Sequence, residues 1–324
     1  MDVSIIIVAW NVRDLLRDCL ESVYRETKGI EFEVIYVDNG SKDGSVEMVQ
    51  KQFPQARIIQ NSDNKGFIRA NNQGIEIATG RYVLLLNSDT IVLDNAIAKT
   101  LGFADQHPDA AVVGCRVLNP DRTLQQSCFR FYSTFNMLLD VTYLSRAFPE
   151  HPLFGRKIYG GWNYDTVREV DVVVGCFSLV RMAAIKQVGV MDERFFVYGD
   201  DIDWCRRFVK AGWKVLFTPA GQIIHYGGQN TKRDANRFSL QLHGAVLINV
   251  KTHYDWLTFT GCRLLTACYL LLRVPYWVLK AATRAGEGKR TAWNSAKTCW
   301  LGCCYTLSDW TRLLMNREKV LDKV

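Results

Sequence analysis

Residues 3–46 read VSIIIVAWNVRDLLRDCLESVYRETKGIEFEVIYVDNGSKDGSV. Val3 to Ala9 is a β-branched apolar run of strand length, and Leu15, Leu16, Cys19, Leu20 and Val23 then recur at helical spacing, with Asp14 placed to cap. Phe32 to Val37 repeats the strand pattern. Ser41-Lys42-Asp43-Gly44 supplies capping residues for a helix over Val46 to Phe53. A strand, a helix and a second buried strand in this order predict a βαβ unit and an α/β fold built on a mostly parallel sheet.

Downstream the alternation continues. Arg57 to Gln60 reads as a third strand, Gly66 to Ala78 as a helix, and Tyr82 to Leu86 as a buried strand that runs into Asn87-Ser88-Asp89. Asp94 is expected to cap a helix reaching Gln106, and Ala111 to Cys115 to form a strand. Asn119 to Asp165 is aromatic and irregular. Val170 to Val180 reads as a strand, Met182 to Val188 and Asp200 to Ala211 as helices, and Lys214 to His225 as strands broken at Pro219. Polar side chains close strands one, two and four, the sheet edge where open parallel sheets bind ligands.

Length and charge divide the chain in two. Its 324 residues exceed what one core usually supports, and Lys251 to Val324 holds 12 of the 40 basic residues but 5 of the 33 acidic ones. The first 250 residues are therefore balanced, and the whole formal +7 lies in the tail with five of the nine tryptophans. We read residues 1–250 as a catalytic domain and 251–324 as a helical tail. With 48% hydrophobic and 23% charged residues, the composition excludes disorder and low complexity. The opening MDVSIIIVAW lacks the features of a secretory signal. The ten cysteines, without a CxxC pair, are thus expected to be reduced, buried and cytosolic rather than zinc-bound.

Four constellations can carry chemistry. Asp38, at a strand end before a helix, can accept from ribose hydroxyls or simply shape the turn. Asn87-Ser88-Asp89 offers a carboxylate for a hard divalent cation bridging two phosphates, or a helix cap. Asp200, Asp201 and Asp203 crowd three carboxylates into a helix start, which favours their charge while they repel one another. A general base, a solvated helix start and pairing with Arg206 and Arg207 all fit. His225 leaves an apolar strand into a glycine turn and matters only if Asp89 is near.

In this order and spacing, VSIIIVAWN, VIYVDNGSKDGS, NKGFIRANNQGI, LLLNSDT, FFVYGDDIDWCRRF and IIHYGGQNT resemble glycosyltransferase family two, and most closely its rhamnosyltransferase-like, polysaccharide-building members. The resemblance spans Asp2 to Tyr254. It implies a GT-A fold, a nucleotide-diphosphate sugar donor, Mg²⁺ or Mn²⁺, and inversion at the anomeric carbon. Ala9, Trp10, Asn11 and Asp38 then match the nucleoside-binding edge, and Asn64, Gly66, Phe67 and Asn72 the loop and helix beside the donor. Asn87, Ser88 and Asp89 match the DXD-type motif, with Asp89 on the metal and His225 completing its site. Asp200-Asp201 stands where the family has a Glu-Asp pair; Asp201 is the expected base and Asp200 the alternative. Asp203 and Trp204 lie one helical step on, where acceptor positioning and packing both fit. Lys232 and Arg233 can touch phosphate or belong to a solvated loop. The motif of processive synthases, Gln-x-x-Arg-Trp, is missing, which favours single additions. A non-catalytic nucleotide-sugar-binding or scaffolding subunit is the alternative function.

The tail is expected to lie on a membrane. Trp256 to Leu279 is apolar, but Arg263, Arg273 and Pro275 interrupt it, so spanning would bury an arginine. Arg273, Lys280 and Arg284 fall within about 60° on a helical wheel, opposite Leu271, Val274 and Val278. Such cationic, tryptophan-rich helices settle at the interface of anionic leaflets. The expected setting is therefore the inner face of the cell membrane, with a lipid-linked glycan as acceptor and no nucleic acid as partner; packing on the catalytic domain or on a second subunit of a homo-oligomer is the other reading.

Overall fold

The structure, a computed structural model, describes residues 1–195, 198–227 and 235–313. Lys232 and Arg233 lie outside the described residues. The chain divides into two compact units, the first made of Met1–Phe131, Trp162–Arg194 and Asp200–Gln229, the second of Tyr132–Gly161, Phe195–Gly199 and Asn230–Val324. This differs from the expected division at residue 250.

The first unit is an α/β layer structure. In chain order it opens with β1 (Val3–Ala9), α1 (Arg13–Glu26), β2 (Phe32–Asp38), α2 (Ser45–Gln52), β3 (Arg57–Gln60), α3 (Phe67–Ile77), β4 (Tyr82–Asn87), β5 (Thr90–Leu93), α4 (Ala96–Gln106) and β6 (Ala110–Leu118). The short strands β7 (Leu124–Gln125) and β8 (Cys128–Phe129) follow, and α5 (Thr134–Val141) and α6 (Leu144–Ala147) belong to the second unit. The first unit resumes with β9 (Arg168–Glu169), β10 (Val172–Val173), β11 (Phe177–Arg181), α7 (Met182–Val188), α8 (Asp200–Lys210) and β12 (Lys214–His225).

The main sheet has the order β3-β2-β1-β4-β11-β6-β12-β5. β1 pairs in parallel with β2 and β4, aligning Ile5 with Val34 on one side and Leu84 on the other. The apolar, almost entirely buried side chains of β1 explain its central place, because a parallel strand covered on both faces needs no polar side. Gly74 lets α3 lie close on that strand: a Cβ there would stand 2.6 Å from Ile6 Cγ2. β11 runs antiparallel to both β4 and β6, so the chain enters β11 from the edge at which β4 and β12 end. That reversal gathers three chain segments at one rim.

Several expected boundaries shift for local reasons. Asp14 does not cap α1; Asp43, from the loop before α2, instead accepts from Arg13 N at 2.8 Å. The turn before α4 uses Asn95 in left-handed geometry, with Asp94 one residue earlier, after a strand β5 that four residues made too short to read. Val170 to Val180 splits into β10 and β11 around Val174-Gly175-Cys176. Pro219 does not end β12; the ladder with β6 absorbs it through a register shift between Phe217 and Gln222.

The second unit is helical. Besides α5 and α6 it holds α9 (Ala235–His253), α10 (Trp256–Ala282) and α11 (Gly286–Leu307). Val246, Val250 and Cys262 form an apolar cluster with Tyr132, Met137, Tyr254 and Phe259, so α9 and the aromatic segment after residue 131 share a core with the tail. That is why the unit begins before residue 250. Asp255 caps α10, accepting from Thr258 N at 2.9 Å. Arg263 does not face solvent as a free charge: its Nε donates to Thr306 O and its Nη2 to Leu307 O, both at 2.6 Å, which closes the open C-terminal carbonyls of α11. Small buried residues, among them Ala267, Ala296 and Gly302, face inward in this unit, whereas Trp256, Leu257 and Leu279 are 76%, 73% and 67% exposed. α10 is long and apolar enough to cross a membrane by length and composition.

Candidate active site

The rim where β1, β2, β4 and β12 end carries the polar residues singled out in the sequence. Asn87 Nδ2 donates to His225 Nε2 at 3.2 Å, and Asp89 Oδ1 lies 3.3 Å from the same nitrogen. The pairing of β12 with β5 produces this closeness, setting His225 opposite Thr90. The condition attached to His225, that Asp89 be near, is met.

Gln125, which the sequence reading did not select, governs the imidazole. Its Nε2 donates to Asn119 Oδ1 at 2.8 Å and to His225 O at 3.1 Å, which leaves Oε1 facing His225 Nδ1 at 2.6 Å. A carbonyl oxygen can only accept there, so the ring proton sits on Nδ1 and Nε2 keeps its lone pair. The Asn87 amide donates to that lone pair in this structure, and Asp89 Oδ1 stands beside the same nitrogen, so a cation displacing the amide would find two acceptors together. An outer hydrogen bond that fixes the tautomer is how metal-binding histidines are held. Asp89 and His225 are the residues of this rim that could hold a divalent cation. Among the described residues no cluster of three or more His, Cys, Asp or Glu gathers to hold a metal.

The acidic cluster on α8 separates by environment. Asp200 is buried, and Asp201 is half-buried with its Oδ1 accepting from Ile202 N at 2.8 Å and a further hydrogen bond from the Gly175 backbone. Burial raises the pKa of both carboxyls, and for Asp200 the neighbouring Asp201 charge adds to it. Asp201 is thus the member of the pair that keeps access to the rim. Cys176 ties the two halves together: burial first, then the nearby Asp89 and Asp201 carboxylates, push its thiol up to about 12. Asn87 N also donates to Cys176 O at 3.1 Å.

Asp203 and Trp204 turn inward, against the acceptor placement. Asp203 is buried and its Oδ2 accepts from Arg207 Nε at 2.8 Å, while Arg207 also donates to Val188 O and Val190 O. Trp204 is buried against Phe208 and its indole N–H donates to Gly189 O at 2.9 Å. Residues three and four places along a helix from Asp200 face the core that Asp200 itself enters, which is why the packing alternative holds for both and the acceptor placement does not. Arg207 confirms the pairing alternative.

On the donor side, Asp38 is 0% exposed. Its Oδ1 accepts from Tyr36 OH at 2.8 Å and its Oδ2 from Gly40 N and Ser41 N at 3.1 and 3.0 Å. It shapes the turn rather than offering a free edge to ribose. Ala9 contributes backbone, its O accepting from Asn39 N at 2.9 Å, and Trp10 is half-buried. Asn11 joins the same turn: Asn11 N donates to Ser41 Oγ at 3.0 Å and Asn11 Oδ1 accepts from Lys42 N at 2.8 Å.

Asn64 Oδ1 accepts from Gly66 N at 2.9 Å and from Asn39 Nδ2 at 3.2 Å, and Gly66, at φ +88°, opens α3 in a conformation few other residues adopt. The half-buried Phe67 ring passes near Gly175. Asn72 is committed elsewhere, exchanging hydrogen bonds with both the N and O of Met191 at 3.1 and 2.9 Å. Ser88 is buried between Asn87 and Asp89. Asn39 and Asn61, both buried, complete this amide network unannounced by the sequence reading.

Comparison with known proteins bears on this geometry. The sequence model of Glycosyl transferase family 2 matches residues 4–189. An N-acetylglucosaminyl-diphospho-decaprenol L-rhamnosyltransferase of Mycobacterium tuberculosis is 27% identical over 236 residues, which cover 69% of this chain and 76% of that protein. The O-antigen biosynthesis protein RfbC of Myxococcus xanthus is 28% identical over 239 residues, 72% of this chain but 18% of RfbC. Among solved structures, the mannosyltransferase PcManGT of Pyrobaculum calidifontis, in complex with GDP-Man and Mn²⁺, superposes with a TM-score of 0.57 at 14% identity, covering 95% of this chain and 87% of that one. The fold is of GT-A type, and over more than half its length the sequence carries the family pattern: the chain belongs to glycosyl transferase family 2.

Proposed function

We propose that this chain transfers one sugar, with inversion, from a nucleotide-diphosphate sugar to a hydroxyl of a lipid-linked glycan, in cell-surface polysaccharide synthesis at the inner face of the cell membrane. The observation that carries the reading is the Gln125–His225–Asp89 arrangement at the rim, with Asp201 hydrogen-bonded to the Gly175 backbone in the turn between β10 and β11. Asp89 and His225 would hold Mg²⁺ or Mn²⁺, which neutralises the charge of a departing diphosphate. Asp201 accepts the proton of the acceptor hydroxyl as that oxygen attacks the anomeric carbon opposite the leaving group. Its burial-raised pKa strengthens it as a base relative to an ordinary carboxylate. Asn11, Asn64, Gly66 and Phe67 bound the donor side, and Asp38 acts there by holding the turn that carries Gly40 and Ser41.

The acceptor class draws on the rhamnosyltransferase relative, whose name specifies a lipid diphosphate, and the pathway on RfbC. The exposed apolar side chains of α10 and the tail's positive charge support contact with a membrane surface. The test is a thermal-shift panel of UDP, GDP, dTDP and CDP with and without Mn²⁺, on the wild type and on Asp89→Ala. A Mn²⁺-dependent shift with one nucleotide, lost in the variant, is expected. No shift with any nucleotide would leave the non-catalytic scaffold as the better account.

A further inference from the structure

The second unit contains a cationic cluster that the transfer chemistry does not use. Tyr269 Oη accepts from two guanidinium groups, Arg146 Nη2 at 2.9 Å and Arg273 Nη1 at 2.6 Å. Arg273 also lies over the Tyr269 ring at 5.2 Å, Arg146 over the Tyr143 ring at 5.3 Å, and the two rings stack at 6.3 Å. Among the described residues, neither guanidinium pairs with a carboxylate. The acid of this neighbourhood, Asp140, is taken by Lys157 Nζ at 2.7 Å and Ser145 Oγ at 2.6 Å. This neighbourhood thus carries three cations, Arg146, Arg273 and Lys157, against the one anion Asp140. The half-buried His243, whose ring lies 5.5 Å from that of Tyr269, responds to the imbalance: desolvation pushes its pKa down to about 4, with Arg273 and Lys157 acting the same way against Asp140.

Two arginines converging on one neutral oxygen form a fork that a phosphate would satisfy better, since guanidinium–phosphate bonds are charge-assisted and bidentate. The surroundings decide where such a phosphate resides. Tyr269, Arg273, Tyr276 and Lys280 follow one face of α10 at spacings of three and four, and Leu272, Tyr276 and the Tyr143 ring beside them are exposed. Lys280 Nζ sits over the Trp277 ring at 4.6 Å, so cations and aromatic rings alternate along this face as they do at membrane interfaces. A soluble phosphate would gain nothing from the apolar half of this patch, whereas a lipid headgroup with its chain engages both halves.

We propose that Arg146 and Arg273, carried on the Tyr143–Tyr269 platform, bind the diphosphate headgroup of a membrane-borne polyprenyl lipid. The choice of a polyprenyl lipid rests on the lipid-linked acceptor of the proposed function; the phosphate fork itself does not.

The experiment is flotation of the full chain with phosphatidylcholine vesicles containing a few mole per cent of polyprenyl diphosphate, against vesicles matched in charge with phosphatidylglycerol. The wild type is expected to bind the first at least about tenfold more tightly, and Arg146→Gln/Arg273→Gln to lose that preference. Should the double variant melt early, Arg146→Gln alone, at an exposed position, is expected to lose a several-fold part of it. Equal binding to both vesicle types would mean attraction to any anionic surface and overturn the proposal. So would a preference kept by the variants, or competition by soluble pyrophosphate as strong as by the lipid. The nucleotide–Mn²⁺ shift is run alongside: its absence counts against the transferase reading, whereas its presence without a lipid preference overturns this inference alone.

Discussion

Replacing Gln125 by Leu tests the metal site through a residue that touches neither metal nor sugar. In the wild type, Gln125 Oε1 accepts from His225 Nδ1–H at 2.6 Å and keeps Nε2 an acceptor, taken by Asn87 Nδ2, beside Asp89. Leucine preserves the volume and removes the acceptor. The imidazole is then free to carry its proton on Nε2, where Asp89 Oδ1, at 3.3 Å, becomes its hydrogen-bond partner. A hydrogen bond to a charged group is worth about 1.5–3 kcal/mol. Metal binding has to reverse that preference, so affinity should fall by roughly ten- to a hundredfold. Mn²⁺ titration with saturating nucleoside diphosphate, followed by electron paramagnetic resonance, reads the loss, and nitrogen NMR of labelled histidine reads the tautomer in metal-free protein. An unchanged melting temperature of the metal-free variant separates the effect from unfolding. Mn²⁺ affinity within about twofold of the wild type, with the fold intact, would refute the reasoning.

Three further outcomes follow from the same rim and sheet. Asp201→Asn should lower turnover by about 10²–10⁴, the usual worth of a positioned base, while the nucleotide–Mn²⁺ thermal shift persists. Asp200→Asn should raise Tm at pH 8 by removing a buried carboxylate whose folded pKa is raised. Because the folded state then holds its proton more tightly than the unfolded one, wild-type stability falls as pH climbs above the ordinary carboxylate range, so the variant's advantage should shrink toward pH 5. Glu33 has the opposite sign. Burial opposes its charge, but hydrogen bonds from Thr79, Ser4 and Arg57 overcome that and hold its pKa at about 2. Its contribution, at most about 3 kcal/mol, is complete above its ordinary pKa and drains away as pH falls from there through the folded value of about 2, so Glu33→Gln should lose stability at neutral pH and flatten acid unfolding.

The parallel half of the sheet was legible because β1, β2 and β4 are continuous apolar runs, and burial on both faces demands nothing else of a strand. The elements that escaped reading are those whose stability comes from a partner rather than from their own pattern. β5 is four residues held by β12, and β7 is two residues held by β6, yet β7 delivers Gln125 to a histidine a hundred positions away. No local spacing marks such a residue. Asp203 misled for the reverse reason: three carboxylates in a row look alike in sequence, and only the helix turn shows that one of them meets Arg207 inside the protein. Asp38 likewise carried the residue type of a ribose contact, while Tyr36, two places back on the same face of β2, claimed one of its oxygens.

The site's carboxylates are given different tasks by their surroundings rather than by their identity. Asp89 shares the His225 Nε2 position with the Asn87 amide, where a cation could be held, whereas Asp200 and Asp201 sit where burial resists charge. Under the proposed function, one carboxylate would take a metal and another a proton, and such a division lets acid–base and electrophilic roles coexist within one rim. It requires that no further anion intrude. Cys176, close to both Asp89 and Asp201, meets that requirement because the same burial and the same two carboxylates keep its thiol neutral. A Cys176→Asp variant would therefore add the one charge this arrangement excludes. Its expected result is a further rise in the pKa of Asp201, seen as an alkaline displacement of the rising limb of the pH–rate profile; an unmoved limb in a folded variant would show that Asp201 is not the group whose ionisation the rate follows.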